Sequence, residues 1–441
     1  MKHTLHCTAM LLASFSCAAA QVSPVASATD LTAHVAIESA GQAGEPVGRL
    51  TLAQALALAE DRHPGLNSAR LEAQAADGRV TQAMARQNPV LSFEAENFGG
   101  AGEQKRFDAA EYTAQIEQAF ELGGKRGKRI RVAKTDRQLT GFDLESSRLD
   151  VRAETSRRFA GVLGAQSRVD LAGETVVLAE NFVKAVAARV EAGKVSPMEL
   201  EKAHVLLTQK RIALDQANGE LAMARIQLAA QWGGIHPVFE CAEGELSAVP
   251  AVPALATLTS RISGNPDVAR WSVEIELAQA VLAREQAARI PDISGAVGIR
   301  RSGETDSDTL VAGMSLPLPL FDRNHGSILE SVSLLAKARQ QGRAAEMKTA
   351  TELATAHQVL TTTANRASSF KNDVLPRVKA VFDAVQSGYT QGKYTYLEAL
   401  DAERTMVESQ VEYIDALISA RTALADLDRI VDGQLQTRKQ E

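Results

Sequence analysis

Hydrophobic positions recur at two different periods along this chain, and each period predicts a different element. Leu200, Leu207, Leu214, Leu221 and Leu228 stand seven residues apart, with Ala203, Ala217 and Ala224 at seam positions between them. A heptad sustained over four repeats predicts a coiled-coil helix, and alanine at the seam lets helices approach closely. The second half echoes it with Leu400, Val407 and Ile414, then Leu417, Leu424 and Val431 after a shift of phase. The segments leading into these helices are helical as well. No proline interrupts Lys125 to Val190, and a continuous helix there reaches on the order of 100 Å. Such helices cannot be buried in one small globule; they need one another, or further chains.

The other period is two. Apolar and polar residues alternate in Leu91–Glu96, Tyr112–Glu117, Ile293–Arg300 and Leu310–Leu318, the last placing Leu310, Ala312, Met314, Leu316 and Leu318 on one face. Each segment is about ten residues long, the span of a tilted membrane strand. Polar connections, Gly99 to Glu111 and Arg301 to Asp308, join each pair. Alternation by itself fits two readings: strands in a membrane, or soluble hairpins packed on helices. In lipid, four strands cannot stand alone, because an open sheet edge is intolerable in hydrocarbon. The sheet would close with strands from identical chains, and three chains would give twelve strands.

The two halves repeat one plan. His63-Pro64 and Asn265-Pro266 open a helical stretch, and Asn88-Pro89 and Ile290-Pro291 end it before a strand; both pairs are displaced by 202 positions. A matched turn follows, Gly193-Lys194-Val195-Ser196 and Gly392-Lys393-Tyr394-Thr395, displaced by 199. A period this long means two copies of one large hairpin unit rather than a short-repeat solenoid.

The first residues change the compartment. Lys2, the apolar run Thr8–Phe15 and Ala18-Ala19-Ala20 read as a secretory signal over 1–20, cut after Ala20. Cys17 lacks the leucine lead of a lipidation site. After cleavage only Cys241 remains, so no internal disulfide is available to an exported chain. Residues 21–49, rich in Ala, Ser, Gly and Pro, read as a flexible leader. The mild net charge of −6 argues against a nucleic-acid partner. Aromatics at 4% are few for a compact core and suit packed long helices.

Duplicated strand-and-long-helix hairpins, exported and without disulfides, resemble the TolC family of outer-membrane efflux channels. Leu50–Leu56 with His63-Pro64, the Asn-Pro before the first strand, and Gly392–Ala402 with Leu400-Asp401-Ala402 carry the resemblance. Phe120–Arg126 and Pro319–Asn324 are similar to the cobalt-zinc-cadmium resistance branch. The fold implied is mainly α with a membrane β-barrel: a homotrimer with a twelve-stranded outer-membrane barrel above a periplasmic α-helical coiled-coil barrel. The first repeat spans 50–233, with strands about 90–98 and 112–120 and helices about 122–190 and 197–232; a linker covers 234–253. The second spans 254–433, with strands about 292–301 and 309–318 and helices about 322–388 and 396–432, before a tail, 434–441. Implied partners are two further copies, outer-membrane lipid, a periplasmic adaptor and an inner-membrane proton-driven pump.

Both matched turns restart a helix. Gly193 and Gly392 can end the incoming helix in a left-handed conformation. Ser196 with Glu199, and Thr395 with Glu398, have the spacing of capping boxes, Pro197 standing at the first helical position. The resemblance adds roles to this structural reading. The two turns, Gly193 to Ser196 and Gly392 to Thr395, become adaptor-contacting tips; Glu398 and Asp401 become a constricting carboxylate ring; Tyr389 and Glu199 become latches between neighbouring helices. Tyr394 stands where the family's best-known members place a basic latch residue. Asp401 also reads as a plain solvated helix position.

The histidines are scattered without ligand spacing, so no resident metal and no cofactor is expected. Catalytic triads, phosphate loops and HExxH patterns are missing too, so no enzyme is expected. Lys125, Arg126, Lys128 and Arg129 read either as a basic collar facing anionic headgroups or as a solvated helix face. The function expected is the passive exit duct of a tripartite efflux system carrying divalent metal cations. The alternatives are organic compounds or a secreted polypeptide through the same channel, or a soluble periplasmic adaptor.

Overall fold

A computed structural model describes residues 45–99, 107 and 109–431. The signal segment, Cys17, the leader up to residue 44 and the tail lie outside the described residues. In the first half, β1 (Gly48–Thr51) leads into α1 (Leu52–Arg62) and α2 (Pro64–Met84), then β2 (Val90–Glu96), β3 (Glu111–Phe120), α3 (Lys125–Glu191) and α4 (Pro197–Ala229). The second half runs β4 (Phe239–Glu243), α5 (Leu255–Thr259), α6 (Pro266–Ala288), β5 (Ile293–Ser302), β6 (Ser307–Ser315), α7 (His325–Ser369), a π-turn (Phe370–Val374), α8 (Leu375–Thr390) and α9 (Tyr396–Ile430).

The repeated prolines are helix starts. Pro64 and Pro266 occupy the first turn, where a missing N–H costs nothing. The residue before each proline caps the helix: the Gly65 N–H donates to His63 Nδ1 at 3.1 Å and the Asp267 N–H to Asn265 Oδ1 at 2.7 Å. Asn265 is fully buried and also donates to the Ile430 carbonyl at 2.9 Å, tying α6 to the end of α9.

Helix α3, 67 residues without a break and so about 100 Å long, is the hub. It packs against α2, α4, α6 and α9. The largest core lies midway along it, where Phe159 and Val162 meet Leu50, Leu228, Trp232, Phe239 and Leu417. Each such fully buried side chain contributes about 1.5–3 kcal/mol. A second cluster joins Leu258, Leu353, Leu360 and Leu427 across α5, α7 and α9.

The structure departs from the sequence reading in several places. Strand order begins at Gly48, inside the span read as flexible leader: β1 pairs in parallel with β4, and Glu45 accepts a hydrogen bond from Trp232 Nε1 at 3.1 Å. The span read as a linker supplies β4 and is clamped down, Arg421 donating to the carbonyls of Glu245 (2.7 Å) and Ala248 (2.9 Å), and His357 Nε2 bonding the Pro253 carbonyl at 2.9 Å. β6 stops at Ser315 rather than running to residue 318, because Pro317 and Pro319 offer no ladder donor. The helix read as continuous over 322–388 starts at His325, after a left-handed Asn324, and opens into the π-turn. Pro376 follows that turn; its ring would clash with the carbonyl four residues back in a regular helix, and the wider turn relieves the clash.

The basic run at the start of α3 is used within the chain. Lys125 pairs with Asp292 at 2.8 Å, Arg126 donates to the Met84 carbonyl, and Arg129 grips Glu121 and the carbonyls of Ala83 and Ala85. These contacts tie the base of the sheet to α2; Lys128 alone of the four is exposed.

Candidate functional site

Two regions carry the features a channel would use. The first is a four-stranded antiparallel sheet of order β2-β3-β5-β6, in which β3–β5 pairing joins the two halves. Its register stacks like on like. Phe93, Ala114, Ile299 and Leu310 stand in one row, and Leu91, Ile116, Val297 and Ala312 in the next along the same face. That face is bare: Phe93 is 77% exposed, Leu310 88% and Met314 77%. The opposite face carries Glu94, Glu117, Gln115, Thr113 and Arg300, residues offset by one from the apolar set. There Arg300 donates to Thr113 Oγ1 at 3.0 Å and pairs with Glu111 at 3.2 Å and Glu96 at 3.4 Å. Among the described residues, β2 and β6 each leave one side unpaired.

The second region is the paired helical tip. The turns between α3 and α4 and between α8 and α9 have the same geometry. Gly193 (φ +68°) and Gly392 (φ +79°) are left-handed. Lys194 N donates to Arg189 O at 2.9 Å and Lys393 N to Gly388 O at 2.8 Å, while each glycine N–H reaches the carbonyl three residues back. This is the Schellman arrangement, open only to a residue free of a Cβ penalty.

The caps that follow differ. Thr395 and Glu398 form the reciprocal box: Glu398 N–H donates to Thr395 Oγ1, and Glu398 Oε2 accepts from Thr395 N at 2.7 Å and Thr395 Oγ1 at 2.8 Å. Those bonds, the backbone one first, hold the exposed Glu398 carboxyl below its ordinary value. The first tip does not close its expected box. Ser196 Oγ accepts from Met198 N at 3.3 Å, and Glu199 makes no bond back to the Ser196 N–H.

Glu199 is half-buried beside the tip, where its charge acts on Tyr389 and Tyr396. Tyr389 is 2% exposed, and burial, aided by the nearby Glu199 charge, pushes its phenol up against the opposing pull of Arg189. Its ring lies 5.2 Å from Phe182, which stands 5.4 Å from Tyr396. The Arg189 guanidinium covers the Tyr389 ring at 4.6 Å and donates to the Tyr389 carbonyl at 3.0 Å. Among the described residues the buried Tyr389 hydroxyl has no hydrogen-bond partner. It borders a cavity of about 410 Å³ that Phe182, Phe382, Leu400 and Glu403 also line.

Tyr389 and Glu199 therefore share a neighbourhood without a direct bond. Glu398 and Asp401 lie three residues apart on the start of α9, both exposed, on one helix face. Tyr394 folds its ring against Gly388, where an added Cβ would come within 2.4 Å of it. Lys194 and Lys393 are exposed, and Val195 is half-buried.

Sequence reasoning missed Phe182, Arg189, Lys210 and Glu403. Lys210 on α4 pairs with the buried Glu403 on α9 at 3.0 Å, linking the two hairpins just above the tip. A signal existed: both stand at seam positions of their heptads, three residues after Leu207 and Leu400, where an apolar residue is the rule.

Among the described residues no group of three or more His, Cys, Asp or Glu is placed to hold a metal, and no helix is long and apolar enough to cross a membrane. The latter says nothing of strands. A duplicated helical scaffold with an amphipathic sheet at one end and paired turns at the other defines an outer-membrane channel protomer. Residues 55–234 and 258–433 match the family described as outer membrane efflux protein. The chain belongs to that family. It is 34% identical over 387 residues to the cobalt-zinc-cadmium resistance protein CzcC of Cupriavidus metallidurans, covering 88% of this chain and 91% of that one. It is 28% identical over 302 residues to the nickel-cobalt-cadmium resistance protein NccC of Alcaligenes xylosoxydans xylosoxydans, covering 68% and 67%. Its fold matches the Campylobacter jejuni CmeC outer membrane channel with a TM-score of 0.71 at 14% identity, covering 87% of this chain and 85% of that one. The resemblance drawn from the sequence, the fold class and the outer-membrane location are borne out, and the family is one of transport components.

Proposed function

We propose that three copies of this chain close into one outer-membrane channel that carries divalent metal cations out of the cell, as the passive exit duct of a tripartite pump. The observation that carries this reading is the sheet, with a bare apolar face, a polar face in register behind it and two open edges. Hydrocarbon tolerates such edges only when they are paired, so β6 of one copy takes β2 of the next, and four strands become twelve. The polar face then lines the lumen.

A second stripe on α4 supports assembly. Met198, Val205, Ile212 and Ile226 are all exposed and fall on one seven-residue register, with Gly219 completing it. The stripe lies across the helix from the leucine seam that faces α3. An unpartnered heptad stripe of this length suits a helix of a neighbouring copy.

In the closed trimer, Glu398 and Asp401 bring up to six carboxylates to the periplasmic mouth, a ring that favours cations. The tips at Gly193–Ser196 and Gly392–Thr395 meet the adaptor, and an inner-membrane pump supplies the energy. The metal cargo rests on the relatives named for cobalt, zinc, cadmium and nickel resistance. In planar bilayers, Glu398→Gln with Asp401→Asn is expected to raise single-channel conductance and lower cation selectivity. A protein that stays monomeric and water-soluble, or a conductance unchanged by the pair of substitutions, counts against the channel and the ring respectively.

A further inference from the structure

Beneath the clamped strap 243–253 lies a cavity of about 740 Å³, remote from both regions described above. α3 supplies one wall through Phe159, Ala160 and Leu163; α9 supplies Leu424; the strap closes it with Val249 and Val252. The lining is apolar apart from a few groups, and the telling one is Arg421. Its Nη2 donates to the two strap carbonyls, of Glu245 and Ala248. Its Nε is buried without any hydrogen-bond partner, and no carboxylate oxygen lies within ion-pair distance of its guanidinium among the described residues. Burial pulls the arginine down from its ordinary value, against the opposing pull of Glu245. A half-buried guanidinium with a buried donor left over gains from an anion that can accept from it. Glu243 and Glu245 also border the space, but both are exposed, and the Glu245 carboxylate accepts from Ser247 Oγ at 2.8 Å.

We infer that this cavity binds a single-chain amphiphilic anion, its carboxylate or phosphate on Arg421 and its aliphatic tail along Phe159, Leu163 and Leu424. The volume falls within the range of small-molecule sites, and an apolar wall with one convergent polar anchor is their usual construction. A free fatty carboxylate and a lysolipid phosphate share this chemistry.

Native mass spectrometry and calorimetry on the full mature protein in amphipol test the assignment. Dodecanoate is expected to bind saturably at one molecule per chain, neither displaced by dodecyltrimethylammonium, which has the same tail and the opposite charge, nor by acetate, which has no tail. Arg421→Met should weaken dodecanoate at least tenfold. Because that change also frees the strap, Ala251→Trp provides a second variant that keeps the arginine and fills the space; it too should abolish binding. Tighter binding of lauroyl lysophosphatidate than of dodecanoate would point to a membrane lipid as the source, and the reverse order to a free fatty acid. Dodecanoate binding that survives both variants, or equal binding of the cationic amphiphile, overturns the inference.

Discussion

The two helical hairpins were built from one plan, yet one is continuous and the other jointed. In the first, α3 runs 67 residues without interruption into its turn. In the second, α7 reaches Ser369, opens into a π-turn and resumes as α8 beyond Pro376. The caps differ in the opposite sense. The uninterrupted hairpin has a single side-chain cap bond, Ser196 to Met198 N, while the jointed hairpin has the complete Thr395–Glu398 box. A hairpin with a joint partway along keeps its end intact when it swings, because the turn is held by its own bonds. The hairpin without a joint relies on its long packing against α2, α6 and α9. The break in the backbone hydrogen-bond ladder therefore lies between α7 and α8, and α3 has none.

Lys210→Met should give the largest effect, since it removes one ion pair between the hairpins and leaves Glu403 buried without its lysine. A loss of about 3 kcal/mol is expected, read as lowered thermal stability and faster amide exchange in α9. Adding Glu403→Leu should restore most of it; if the double variant stays as unstable as the single one, the pair is not what couples the hairpins.

Next come the caps. Thr395→Ala should destabilise its tip by about 1–2 kcal/mol, and Ser196→Ala by about 0.5–1 kcal/mol. Proteolysis rates at the two turns measure this directly, and equal rates would erase the contrast between the hairpins. Pro376→Ala should let a regular helix replace the π-turn, slowing amide exchange across Phe370–Val374 by about 1 kcal/mol of opening free energy. No slowing would mean that packing, not the proline, holds the joint open.

The smallest effect concerns pH. Glu398 is held below its ordinary value of 4.5 by the Thr395 bonds. A carboxyl lowered in the folded state contributes stability above its unfolded value and loses it as pH falls through the folded one. The second tip should therefore keep its proteolytic resistance at neutral pH and down to the ordinary glutamate value, then lose it on further acidification. The first tip, without such a box, should show no matching transition.

Much of the architecture was legible in the residues. The heptads marked α4 and α9, the proline steps marked the helix starts, and the alternation placed all four strands of the sheet to within a few residues. Errors gathered where a local pattern met a distant partner. Glu199 has the spacing of a capping residue, but the Ser196 hydroxyl accepts from Met198 N instead of the Glu199 N–H. Gly48 and Arg49 look like leader because their strand partners lie almost 200 residues away, Gly48 facing Phe239 and Arg49 facing Cys241. The π-turn was foreshadowed by Pro376, which the long helical pattern around it obscured. Lys210 and Glu403 stood at seam positions, each unremarkable alone.

Periodicity and prolines determined the elements, because the side-chain repeat of a helix or strand is a property of the backbone and is written locally. That local code also set the two faces of the sheet, since alternate residues must point opposite ways. Tertiary structure alone decided which strand lies beside which, that a half-buried lysine meets a buried glutamate across two hairpins, and that Arg421 sits over an apolar cavity with no carboxylate at ion-pair distance among the described residues. Those are pairings between residues far apart in the chain, and no local spacing encodes the meeting of two surfaces.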